Sequence, residues 1–185
     1  MRKYILLICL LFLTGCGEAN NTKTTNDYEQ KNIENIAQSS DENDQFMLEL
    51  ISEKTQFKQG ESLNIVAKLT NKGEAVVLGH GGSWLFLNTT NLTENYQFGS
   101  AMNEPYIMTE IATEQTIEEV YSFSGATYDS SFPGEPYTDS VFHAMANMEF
   151  PIGQYEIEAI TAFHLHEIEN SEQRLRAKII FEVVE

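Results

Sequence analysis

His164 and His166 stand two residues apart in Ala162-Phe163-His164-Leu165-His166. On a strand, side chains two apart share a face, so both imidazoles point the same way and form a bidentate pair for one metal ion. His143, Met145 and Met148 form a second group, whose imidazole and thioethers together suit copper(I). Two donors alone make a weak site, and selective binding needs three or four held in a fixed geometry. Copper or zinc binding therefore depends on whether the two groups meet in space. It stands as an alternative reading, and no cofactor is assigned.

Nucleophilic chemistry has less to work with. The chain has two cysteines, Cys9 and Cys16, no Gly-X-Ser-X-Gly elbow and no glycine-rich loop opening a helix to cradle phosphate. Asp129, Glu135 and Asp139 could form a carboxylate site, but carboxylates in a loop are ordinarily solvated. The sequence reads as a protein that is not an enzyme.

Residues 125–137 contain Gly125, Pro133, Gly134 and Pro136 and cannot form a regular strand throughout, so they read as a long loop. Tyr128, Phe132, Tyr137 and Phe142 lie in and just beyond it among Gly, Pro, Ser and Asp. That is the mixture of rigid aromatic anchors and adaptable polar groups that recognition surfaces use. The same four rings could instead fold down and cap the open end of the domain, since a loop of this length needs packing of its own.

The elements that must position these residues are strands. Leu63, Ile65, Ala67 and Leu69 alternate with more polar residues, the mark of a strand half-buried against a second layer. Asn71-Lys72-Gly73-Glu74 then reads as the turn of a β-hairpin over residues 62–78. Phe46, Leu48 and Leu50 share a face of an earlier strand. Residues 83–88 are apolar on both faces and read as an inner strand with Trp84 in the core. Further strands are expected at 106–111 and 116–123, the second interrupted by a bulge or edge break at Glu118-Glu119. Tyr155, Ile157, Ala159, Thr161 and Phe163 share one face of a penultimate strand. Leu175, Ala177, Ile179, Phe181 and Val183 share one face of the last, with residues 167–173 connecting the two. No long apolar stripe of helical period appears after the first residues, so helix should be scarce. Seven or eight such strands without repeats predict an all-β, immunoglobulin-like antiparallel sandwich over residues 45–185.

The first residues read differently. Met1-Arg2-Lys3 is positive, and the apolar run that follows, Tyr4 to Leu13, is short for a permanent span, as in a secretory signal. Leu13-Thr14-Gly15-Cys16 resembles the bacterial lipoprotein signal. That resemblance implies cleavage of residues 1–15, a lipidated Cys16, and anchoring by two acyl chains at roughly 0.8 kcal/mol per buried methylene. The protein would then sit on the extracytoplasmic face of the cell membrane. Residues 16–44 are polar apart from Tyr28, Ile33 and Ile36 and read as a flexible linker, reaching roughly 30 Å as a coil. Lipidation of Cys16 and loss of Cys9 leave the domain without disulfide or thiol chemistry. With 28 acidic residues against 11 basic ones and a formal charge of −17, the chain repels nucleic acid and anionic lipid head groups.

Leu63-Asn64-Ile65-Val66-Ala67-Lys68-Leu69-Thr70-Asn71 with Val76-Val77-Leu78, and Phe150-Pro151-Ile152-Gly153-Gln154-Tyr155-Glu156-Ile157, resemble the intracellular proteinase inhibitor (BsuPI) domain and bacterial lipoproteins carrying similar modules. The resemblance implies an immunoglobulin-like fold across residues 45–185 and admits inhibition of extracellular proteases as an alternative. The leading expectation is a lipid-anchored, non-enzymatic module that binds a protein or another envelope component at the cell surface.

Overall fold

The computed structural model describes residues 36–100, 105–125, 128, 130–131, 133–166 and 171–185. The signal segment, Cys16, Asp129 and Phe132 lie outside the described residues. In chain order the strands are β1 (Ala37–Glu42), β2 (Phe46–Ser52), β3 (Gln56–Lys58), β4 (Ile65–Asn71), β5 (Val76–Asn91), β6 (Tyr96–Phe98), β7 (Ile107–Ile111) and β8 (Thr116–Val120). A helix, α1 (Asp139–Ala146), precedes β9 (Gly153–Leu165), β10 (Glu172–Gln173) and β11 (Arg176–Val184).

Two sheets face each other. The smaller has the order β1-β2-β4-β8, and the larger β3-β11-β9-β5-β6, with β7 pairing β5 and β10 pairing β9. Alternation explains the core. Phe46, Leu48 and Leu50 of β2 and Ile65, Ala67 and Leu69 of β4 are wholly buried, and Tyr155, Ile157 and Ala159 of β9 meet them from the other layer. Each large apolar side chain so buried contributes roughly 1.5–3 kcal/mol. Phe46 bridges the layers by packing edge-on to Phe163 at 5.2 Å, and within the larger sheet Tyr155 of β9 stacks on its β11 neighbour Phe181 at 5.6 Å. Trp84 is buried, as its setting in an apolar strand predicts.

The arrangement is an immunoglobulin-like sandwich. β2, β4 and β8 stand as the A, B and E strands, and β11, β9 and β5 as G, F and C. After β2 the chain changes sheets, and β3 runs parallel to β11, with Phe57 opposite Val183. The described residues hold eleven strands rather than seven or eight, because short pieces such as β3, β6 and β10 extend the larger sheet.

Three expectations are corrected. Residues 62–78 are not a hairpin: β4 pairs with β2 and β8, while β5 pairs with β6, β7 and β9 in the other sheet. The turn is real, but it carries the chain between layers. Asn71 fastens it, accepting from Gly73 N at 3.1 Å and donating to Glu74 O at 2.8 Å and Ala112 O at 3.1 Å. The second correction concerns the linker, whose stretch 37–42 is strand β1, antiparallel to β2. Its polar side chains account for this: Asp41 Oδ2 accepts from Arg176 N at 2.9 Å and Ser39 Oγ from Lys178 N at 3.3 Å, satisfying donors that β3 leaves exposed along β11. Third, β8 has no bulge at Glu118-Glu119, since its register with β4 is continuous from Thr116 to Val120. It is an edge strand among the described residues, where charged side chains are tolerated. α1, of 8 residues, follows the 125–137 segment and is the one helix among the described residues, in keeping with the expected scarcity of helix. Thr138 Oγ1 accepts from Val141 N, and Met145 alone of its residues is fully buried. Among the described residues no helix is long and apolar enough to cross a membrane.

Candidate functional site

The larger sheet turns its second face outward. Because Tyr155, Phe163 and their alternates point into the core, Ile160, Ala162 and His164 of β9 must point away from it. Across the ladder, Gly79 of β5 lies opposite His164 and Phe86 opposite Ile160. Between those pairs the register slips: His80 is the partner of Phe163, but Leu85 is the partner of Thr161, so residues 81–84 are crowded opposite Ala162 alone. This wide bulge is held from the smaller sheet, where Glu119 Oε2 accepts from Ser83 Oγ at 2.6 Å.

Beside the bulge lies an open groove of about 720 Å³, lined by Gly79, Phe86, Tyr106, Ala162, His164 and Glu172 among others. Its floor is apolar, and its wall carries the polar groups. Tyr106, 59 % exposed just before β7, stacks on the His164 ring with centroids 5.8 Å apart. Its hydroxyl lies 3.4 Å from His164 Nε2 and 3.2 Å from His166 Nδ1. Gly79 makes this approach possible. A Cβ there would come within 2.5 Å of Tyr106 Oη and 2.7 Å of His164 Nε2, distances that no side chain tolerates.

No protein-family model matches the chain. No curated protein matches it either. The groove is therefore read from its own chemistry.

His164 and His166 share a side of the sheet, as their spacing predicts, and Tyr106 joins them. The second group goes elsewhere. Met145 is fully buried, Met148 Sδ accepts from Phe123 N at 3.4 Å, and exposed His143 on α1 packs edge-on to Phe142. Both thioethers thus serve packing. Among the described residues, no three or more His, Cys, Asp or Glu side chains are grouped to hold an ion.

The aromatic loop splits in the same way. Tyr137 packs 4.4 Å from Phe98 and stacks on Phe142 at 6.5 Å, while Phe142 packs against Phe123 at 5.8 Å. Partial burial pushes the Tyr137 hydroxyl pKa up. These two rings cap the end of the sandwich, and Tyr128, still 37 % exposed, leans edge-on against Tyr137 at 5.6 Å. The fourth ring, Phe132, falls outside the described residues. Of the carboxylates, Glu135 and Asp139 are exposed.

Sequence reasoning missed Tyr106, Gly79, Glu172 and His80. His80 faces inward, with Nδ1 2.8 Å from Gly81 O and Nε2 2.8 Å from Thr109 Oγ1. A carbonyl only accepts, so Nδ1 carries the proton; that bond stays within β5, and the Nε2 contact with Thr109 ties β5 to β7. The available signal was Gly79-His80-Gly81-Gly82 within an apolar strand, because an isolated strand glycine marks a bulge or a close approach.

Proposed function

We propose that the chain is an extracytoplasmic lipoprotein held on the cell membrane through Cys16, and that it acts as a non-enzymatic module binding a protein or envelope component. The observation that carries the binding role is the open groove on the outer face of the larger sheet, where exposed Tyr106 and His164 border an apolar floor. A floor of that kind with a few directed polar groups is the usual composition of a recognition site. The aromatic segment 125–148 is the weaker surface, because Tyr137 and Phe142 are committed to packing. The anchor is supported by the resemblance of Leu13-Thr14-Gly15-Cys16 to a lipoprotein signal, and the acidic balance argues against nucleic acid as partner.

Two experiments test this. Cys16→Ala should leave the chain unprocessed or poorly retained in the membrane fraction; a variant cleaved at the same site and retained as tightly as wild type refutes the anchor. Crosslinking on intact cells, compared between wild type and Tyr106→Ala, tests the surface. An adduct that forms with wild type and disappears in the variant supports the groove, and an adduct indifferent to Tyr106 rejects it. Purified protein added to a protease panel examines the inhibitor alternative, for which dose-dependent inhibition lost on cleavage within residues 125–148 is the required result.

A further inference from the structure

Three donor atoms converge on one side of the groove. Tyr106 Oη stands 3.4 Å from His164 Nε2 and 3.2 Å from His166 Nδ1, and the residues come from two different segments brought together by the pairing of β7 and β9 with β5. Neighbouring ligands of a four-coordinate ion, with bonds of roughly 2.0–2.1 Å, are themselves roughly 2.8–3.4 Å apart, from square-planar to tetrahedral angles. The observed separations fall at the upper end of that range, so an ion could be received with a small inward shift of the donors. The missing Cβ of Gly79 is what permits the approach, and it also leaves the nitrogen and oxygen facing each other over bare backbone. On the other side of His164, its neighbour across β10 is Glu172, which directs a carboxylate to the same face.

We propose that His164 Nε2, His166 Nδ1 and Tyr106 Oη form a site for a divalent transition-metal ion, and that it prefers copper(II) to zinc(II). The preference follows from the donors. Two imidazole nitrogens with one oxygen suit copper(II), which also leads the affinity order for sites of this type. On binding, the phenol O–H bond breaks, a copper–oxygen bond forms, and the proton leaves to solvent; the metal is neither oxidised nor reduced. Water fills the remaining positions, because the groove is open. His143, Met145 and Met148 have no part in the site. The inference does not depend on the lipid anchor or on a protein partner.

The test uses the full chain in detergent micelles, with Cys9→Ser and Cys16→Ser so that no thiol competes. Copper(II) alone is added in a non-coordinating buffer, and binding is followed by calorimetry and visible absorption. One equivalent should bind, with a phenolate-to-copper charge-transfer band, and zinc(II) should bind more weakly. His164→Ala should lower the affinity by more than the roughly 10- to 100-fold that loss of a supporting partner costs. Tyr106→Phe keeps the ring over Gly79 and His164, and should remove the band while weakening binding. His143→Ala should change neither. The proposal is overturned if wild type shows no saturable binding, if His164→Ala binds as tightly as wild type, or if the band survives in Tyr106→Phe. A loss of copper on His143→Ala would also overturn it.

Discussion

The Tyr155 hydroxyl donates to the Pro151 carbonyl, four residues earlier, at 2.7 Å. This is the tyrosine corner of immunoglobulin-like domains, placed at the entry to the F-equivalent strand β9. The same oxygen accepts from Asn91 Nδ2 at 3.2 Å, and Asn91 Oδ1 in turn accepts from Thr93 N and Glu94 N. One phenol thus ties the entry of β9 to the end of β5.

Tyr155→Phe keeps the ring and its stacking on Phe181 but leaves the buried Asn91 amide and the half-buried Pro151 carbonyl without this partner. It should cost about 1–3 kcal/mol in denaturant unfolding, with an unchanged m-value. A cost under about 0.5 kcal/mol would show that water replaces the hydroxyl and that the corner is dispensable.

Alkaline pH should weaken the fold through its buried phenols. Burial pushes the pKa values of Tyr121 and Tyr155 well above the ordinary 10.0, since no charge is welcome there. Unfolded tyrosine ionises near 10, so above that pH the native state holds protons that the unfolded state has released. The contribution of these groups is fully present below pH 10 and falls as pH rises beyond it, by about 1.4 kcal/mol per unit for each phenol. Melting curves between pH 9 and 12, values chosen to bracket the ordinary pKa of 10.0, should show that fall for wild type and a shallower one for Tyr155→Phe. Parallel slopes in the two proteins would contradict the assignment.

Asn71→Ala should cost about 2–3 kcal/mol, because the buried side chain satisfies several backbone groups at the passage between sheets. Urea titration measures it, and Asn71→Asp makes a useful companion. Aspartate keeps the acceptor for Gly73 N but loses the donors to Glu74 and Ala112, so most of the penalty should remain.

Trp84→Ala should remove about 3–5 kcal/mol by lost apolar transfer and the cavity left behind. Calorimetric melting against wild type reads the loss directly, and a near-neutral result would place the indole outside the core.

Strand faces were legible because alternation reports which side of a strand is buried, and the inward residues of β2, β4, β9 and β11 follow it. Strand partners were not legible. The Asn71 to Glu74 turn looks the same locally whether the chain folds back in one sheet or crosses to another, because both solutions bury Leu69 and Leu78 in the same interior. β1 escaped notice because it carries no apolar alternation: backbone pairing with β2 and the contacts of Ser39 and Asp41 with β11 hold it, not apolar residues of its own. Helix α1 has 8 residues, too few for a 3.6-residue period to declare itself. In the groove, the shared side of His164 and His166 was readable from spacing, whereas the arrival of Tyr106 required the pairing of β7 with β5.

The parallel pairing of β3 with β11 has a bearing on how the chain becomes a protein at all. Gln56 and Glu182, hydrogen-bonded side by side, are 126 residues apart in sequence. β11 lies between β3 and β9, so β3 cannot join the larger sheet until residues 176–184 fill the place between them. Closing so long a loop is slow, and until then both flanking strands present unpaired edges. Completion of the larger sheet is therefore a late, long-range event: however early β3 and β9 form, they are joined only when residues 176–184 reach their place between them.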